Sequence, residues 1–129
     1  MEEQTKNAIE ARNMAYAPYS KYKVGACLKG KSGKLYTGCN IENDGISSIC
    51  AERVAFAKAI SEGEREFSSI VIVGGEESKE EHDIAMPCGY CRQFMSEFVD
   101  EDFEVIVYKD ENNIKKFKIA DLLPYKFSL

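Results

Sequence analysis

Two short stretches hold residue types that bind metals and move protons: Cys50-Ala51-Glu52-Arg53 and Pro87-Cys88-Gly89-Tyr90-Cys91. Three thiolates can hold one zinc ion and leave its fourth tetrahedral position to water, the catalytic pattern, whereas structural zinc sites close with four protein ligands. Glu52 stands two residues past Cys50, where it can face the same cavity without ligating the metal. A zinc so held acidifies water; Glu52 can take the proton, the oxygen can attack an amidine-type carbon, and Glu52 can return protons to a ring nitrogen and a departing amine. Three thiolates overcompensate a divalent cation by one charge, so Arg53, and Arg92 with it, are expected to hydrogen-bond to sulfur and offset the excess.

The elements that must position these groups follow from periodicity. Residues 50–61 read as a helix, with Val54, Phe56, Ala57 and Ile60 apolar near helical spacing and Ala51, Ala55 and Ala59 allowing close packing. Residues 88–99 read as another, with Cys91, Phe94, Met95 and Phe98 on one side. Cys50 and Cys88 then sit where helices begin, and a helix N-terminus lowers thiol pKa. Cys88 and Cys91 share one helix face. An N-terminal helix over 5–16 with Thr5 as cap precedes a break at Pro18. Strands are expected over 22–28, 34–38, 69–73, 103–108 and 114–119, with loops over 39–48 and 76–83 and one helical turn over 120–123. The order α-β-β-α-β-α-β-β predicts helices layered on a sheet. Parallel strands would bring both cysteine-bearing helix N-termini to one edge, where ligands collect in α/β sheets.

Composition excludes several classes. The chain has 129 residues, 44% hydrophobic and 30% charged, with a formal net charge of -5. One domain spanning 1–129 is expected. An acidic surplus argues against a nucleic-acid partner. Lys21, Lys23, Lys29, Lys31 and Lys34 read as a solvated hairpin rather than a basic patch. No apolar run approaches the roughly 18 residues of a membrane span. The acidic opening, Met1 to Gln4, and five cysteines lead to the expectation of a cytoplasmic, reducing location.

Taken together, the motifs closely resemble the cytidine deaminases, in the small form with three cysteine ligands. The resemblance runs through Ala15-Tyr16-Ala17-Pro18-Tyr19-Ser20-Lys21, Val24-Gly25-Ala26, Thr37-Gly38-Cys39-Asn40-Ile41-Glu42-Asn43, both cysteine stretches with Cys91-Arg92-Gln93, and Leu122-Leu123-Pro124. It implies a three-layer α-β-α fold with a five-stranded mixed sheet, Zn2+ on Cys50, Cys88 and Cys91, and Glu52 as proton shuttle. It further implies that Asn40 and Glu42 hold sugar hydroxyls, that the Ala51 backbone contacts the base, and that Tyr22 stands where the family carries Phe beside a pyrimidine nucleoside. Phe127 matches an aromatic that enters a neighbouring subunit's pocket, so a homotetramer is implied. Two segments depart from the family. Residues 44–49 replace an Ala-Ser-Tyr-Gly-like stretch, are shorter by one and lack its Tyr, and the connection over 76–86 is longer.

Other readings stand beside this one. C-x-x-C is also a redox pair in some proteins. A purely structural zinc site would take a fourth ligand from His82, Cys27 or Cys39, although Cys27 and Cys39 also read as small buried hydrophobes. The altered 44–49 loop admits another aminopyrimidine nucleoside, such as blasticidin S. A non-catalytic zinc module of the same fold is the reading from a different class.

Overall fold

A computed structural model describes residues 2–129. The chain runs α1 (Glu2–Arg12), β1 (Tyr22–Gly30), β2 (Leu35–Cys39), α2 (Ala51–Ser61), β3 (Phe67–Glu76), α3 (Gly89–Ser96), β4 (Glu104–Asp110), β5 (Asn113–Lys118) and α4 (Ile119–Leu122). The strands form one mixed sheet in the order β2-β1-β3-β4-β5. Only β3 and β4 pair in parallel, but β1 is antiparallel to both β2 and β3, so β2, β3 and β4 all point one way. Helices α2 and α3 leave the ends of β2 and β3 respectively. Both therefore start at the same edge of the sheet, as the parallel-strand expectation required.

Alternation along the strands divides the core into two layers. Ala26, Leu28, Ile70, Ile72, Val105 and Val107 face α2, α3 and α4. Cys27, Val71, Val73 and Ile106 face α1 through Ala8 and Ile9. With both faces of β3 covered, its middle is a continuous apolar run. Phe56 anchors the larger layer, with ring centroids 5.0 Å from Phe67 and 6.1 Å from Phe103. The architecture is the expected three-layer α/β sandwich.

Helix α1 departs from its expected limits. It begins by Glu2, so Thr5 is a buried helical residue and not the cap. Glu2 and Glu3 suit the positive end of the helix, and Gln4 turns inward to donate to the carbonyls of Cys27 (2.9 Å) and Ser69 (3.2 Å). The helix stops at Arg12 because the chain is drawn away: the Tyr16 amide bonds to the Asn40 carbonyl at 3.0 Å. Three of the five hairpin lysines face acids, Lys31 on Asp100 (2.9 Å), Lys34 on Glu62 (2.7 Å) and Lys23 on Glu77 (3.6 Å). Such exposed pairs add little stability, but they cancel a basic patch.

Helix α2 lies directly on β2. A Cβ at Gly38 would sit 2.3 Å from the Ala51 carbonyl oxygen and 2.6 Å from the Ala55 nitrogen. The first turn of α2, which carries Cys50 at its cap, needs that bare backbone. Gly38→Ala should therefore destabilise the metal-free protein by about 1–3 kcal/mol, as overpacked sites do, and should weaken zinc binding. Urea unfolding and chelator competition measure the two; an unchanged midpoint would show that α2 does not depend on Gly38.

Candidate metal centre and catalytic cleft

Cys50 and Cys88 are the N-cap residues of α2 and α3. The Cys88 sulfur takes the part that a serine or aspartate oxygen usually plays, accepting from the Cys91 amide at 3.4 Å. That bond fixes Cys88 relative to Cys91, one turn along α3. Cys50 makes no such cap bond, and its Sγ lies 3.9 Å from that of Cys88. All three sulfurs lie within 4.8 Å of one another. Tetrahedral zinc with Zn–S bonds of about 2.3 Å places sulfurs roughly 3.8 Å apart, so the donor set fits that ion.

No other His, Cys, Asp or Glu among the described residues joins this cluster. Cys27 lies in the layer against α1, on the opposite face of the sheet. Cys39 ends β2, and His82 faces Arg12 through Nδ1 at 3.1 Å. The three candidates for a closing fourth ligand are thus committed elsewhere.

The three sulfurs act on one another electrostatically. The Cys91 thiol donating to Cys50, helped by Arg53 and Cys88, brings Cys50 down to about 5 against the opposing effect of burial. Cys91, which gives that bond and is itself buried, is pushed up. Arg53 donates from Nη2 to the Ser48 carbonyl at 3.1 Å and to Cys50 Sγ at 3.8 Å, and stacks 4.3 Å over the Tyr90 ring. It holds the place expected of a charge that offsets the thiolates. Arg92 does not: its Nε donates to the Pro87 carbonyl (2.8 Å) and its Nη1 to that of Leu122 (3.0 Å). The free carbonyls at the start of α3 and the end of α4 outcompete sulfur for it.

Beside the sulfurs is a cleft of about 430 Å³ lined by Ser20, Tyr22, Asn40, Glu42, Cys50, Ala51, Glu52 and Cys88, and by Val24, Ile72, Ile84, Ala85 and Met86. That volume is in the range of small-molecule sites. A larger open groove of about 950 Å³ between α1 and the β4–β5 hairpin contains no thiol, so chemistry rather than size singles out the cleft. Glu52 is 4% exposed. Burial raises its carboxyl to about 7, and the Cys50 thiolate adds to the rise.

Asn40 is held at both ends by β1. Its Oδ1 accepts from the Val24 amide (2.8 Å) and its Nδ2 donates to the Tyr22 carbonyl (2.9 Å), which leaves one donor and one acceptor free. The Glu42 carboxylate accepts from the amides of Tyr19 (3.1 Å) and Ser20 (3.0 Å) and from the Ser20 hydroxyl, bonds that lower its pKa. Of the site residues expected from the sequence, Cys91, Arg53 and Phe127 are outside the lining, Cys91 being fully buried behind Cys50 and Cys88. Phe127 is 67% exposed. Sequence reasoning missed Ser20 and 84–86. Ser20 is carried by a turn that ends in Lys21 at φ 60°, a geometry not evident from composition, and 84–86 follow an acidic stretch that reads only as loop.

A family model for the cytidine and deoxycytidylate deaminase zinc-binding region matches residues 1–108. A cytidine deaminase of Sporosarcina psychrophila is 42% identical over 120 residues, covering 92% of this chain and 85% of the relative. A probable cytidine deaminase of Dictyostelium discoideum is 40% identical over 122 residues, covering 94% and 79%. Among solved structures, the Burkholderia pseudomallei cytidine deaminase superposes with a TM-score of 0.87 at 38% identity, covering 98% of each chain.

Two outcomes follow from the site. Arg53→Ala should weaken zinc retention about 10–100-fold, as losses of metal-ligand support do; competition with a chromogenic chelator measures it, and unchanged retention would dismiss the charge-offset role. For Glu52, a carboxyl raised from 4.5 to about 7 stabilises the metal-free fold below the lower value and loses that contribution as pH rises through the higher. The stability of metal-free wild type relative to Glu52→Gln should then fall by about 3 kcal/mol between about pH 4 and pH 8. The thiols titrate in both proteins and largely cancel. A flat difference in urea unfolding would mean that Glu52 is not buried as a titrating acid.

Proposed function

This chain belongs to the cytidine and deoxycytidylate deaminase family, and from that premise we propose that it hydrolyses cytidine and deoxycytidine to uridine and deoxyuridine, releasing ammonia. The observation that carries the proposal is a cluster of three thiol sulfurs, two of them on cleft-lining cysteines, beside a buried carboxyl in a cleft of nucleoside size. Cys50, Cys88 and Cys91 would hold zinc, which would supply a Lewis acid that makes the attacking water more acidic. Glu52 accepts the proton of the attacking water on its carboxylate and delivers it to the pyrimidine N3. It then takes the remaining proton from the new C4 hydroxyl and passes it to the 4-amino group, so that the C4–N bond breaks, the C4 carbonyl forms and ammonia leaves. Burial raises the pKa of the Glu52 carboxyl, which favours its taking the proton from water.

The remaining lining residues bind and orient. The Ala51 backbone contacts the base, the Tyr22 ring supplies an aromatic face, and Asn40 and Glu42 present their remaining polar sites to the sugar hydroxyls. No Lys or Arg lines the cleft, so nothing in it neutralises a phosphate, and the nucleoside is favoured over the nucleotide. Residues 1–129 act as one deaminase domain in this reading. Tyr16, Tyr19, Ile46, Tyr90 and Phe127 are exposed apolar side chains, a surface that suits further copies of the chain in a homotetramer, with Phe127 reaching the neighbouring site. The altered 44–49 loop, on which Ile46 is fully exposed, keeps blasticidin S in the substrate panel.

Ammonia release by the zinc-loaded protein tests the proposal. Cytidine and deoxycytidine should turn over; deoxycytidine monophosphate and free cytosine should not. Glu52→Ala should lose about 100-fold or more of the rate while keeping zinc and assembly. Silence of the wild type on both nucleosides, with zinc bound, would overturn the substrate. Full activity of Glu52→Ala would overturn the mechanism.

A further inference from the structure

Arg12, at the C-terminal end of α1, is 6% exposed and far from any thiol in sequence. Its guanidinium does not meet a carboxylate. Nη2 donates to the carbonyls of Glu76 (2.8 Å) and Lys79 (3.1 Å), and Nη1 to that of Glu80 (3.4 Å) and to His82 Nδ1 (3.1 Å). Four acceptors from one seven-residue stretch thus converge on one side chain. This stretch opens the connection over 76–86 and has no helix or strand of its own over 77–82.

From this geometry we infer that Arg12 is a positioning residue for nucleoside binding: it clamps residues 76–82 so that 83–86 and Tyr22 form a fixed wall of the cleft. The inference rests on the deaminase reading. Just past the clamp, the Asp83 amide bonds to the Gly74 carbonyl at 2.7 Å, and Ile84, Ala85 and Met86 then line the cleft. At the other end, the Glu77 amide bonds to the Lys21 carbonyl at 2.7 Å, next to Tyr22. Tyr22 and Ala85 converge over Gly74, where an added Cβ would lie 3.2 Å from Tyr22 Cε2 and 2.8 Å from Ala85 Cβ. Asp83 also acts on Tyr22: burial first, and then the Asp83 charge, push the Tyr22 hydroxyl up.

The metal end of the same segment is held separately. Pro87 is fully buried and its carbonyl is bonded by Arg92, and Cys88 is capped by Cys91. Loosening 76–86 therefore moves the substrate wall and leaves the sulfurs in place. A wall of this kind holds ground state and transition state alike, so its loss raises KM and spares kcat. Lysine cannot replace the planar fork, because a single ammonium reaches only some of the four acceptors.

Arg12→Met should raise the KM for cytidine about tenfold, and Arg12→Lys about threefold, with kcat and zinc per chain retained. In the same variants the amides of Glu77 and Asp83 should exchange hydrogen about tenfold faster or more, while those of α2 and α3 stay as in wild type. If Arg12→Met does not fold, Arg12→Lys carries both measurements. Unchanged exchange at Glu77 and Asp83 would overturn the clamp. Faster exchange with unchanged KM, or a fall in kcat and zinc content together, would overturn the positioning role. A wild type that binds zinc yet leaves cytidine untouched would instead overturn the deaminase reading, and the exchange rates would still decide the clamp.

Discussion

Three sulfurs within 4.8 Å of one another are the constraint on which the rest of this structure depends. Three thiolates at that separation repel strongly unless a cation sits between them or protons are shared among them. The fold answers with positive charge from several directions. Two helix N-termini converge on the cluster, and Arg53 lies against Cys50. The proximity of Cys91 and Arg53 lowers the pKa of the Cys50 thiol, while Cys50 and burial raise that of Cys91.

That convergence is a property of strand direction. Because β2 and β3 point the same way although β1 lies antiparallel between them, the helices that follow them begin at one edge. Glu52 reaches the cleft from the first turn of α2, and burial there raises its carboxyl to about 7. Burying an ionisable group is costly, and the apolar layer around Phe56 supplies the stability against which that cost is set. The N-terminal turns of α2 and α3 carry the chemistry, while the connections over 16–22, 40–49 and 76–87 carry the walls. Rigid elements hold the reacting groups and longer loops shape the space above them.

Much of this was legible in the residues. The cysteine spacing, the Glu two residues on, and the strand alternation of 22–28 all translate directly into the observed site and sheet. Thr5 misleads because capping preference is local, whereas α1 begins by Glu2 and turns Gln4 and Thr5 toward the sheet. Arg92 misleads for a similar reason. Its neighbour in sequence is a ligand, but its guanidinium is planar and takes the nearest unpaired carbonyls, which α4 brings within reach. Ser20 and Glu42 are 22 residues apart, and no periodicity relates them.

What the sequence by itself determined is therefore the set of groups and the elements that carry them: three thiolates, one carboxyl, two helix starts and five strands. These follow from interactions between residues near one another along the chain, capping, periodicity and ligand spacing, whose physics is local. Tertiary structure alone decided which side chains share the cleft, that Arg53 rather than Arg92 lies on sulfur, and that Arg12 at the end of α1 grips the loop over 76–82. Those outcomes are competitions for hydrogen bonds and buried space among segments far apart in sequence. Only the packed sheet, by fixing which segments meet, settles who wins them.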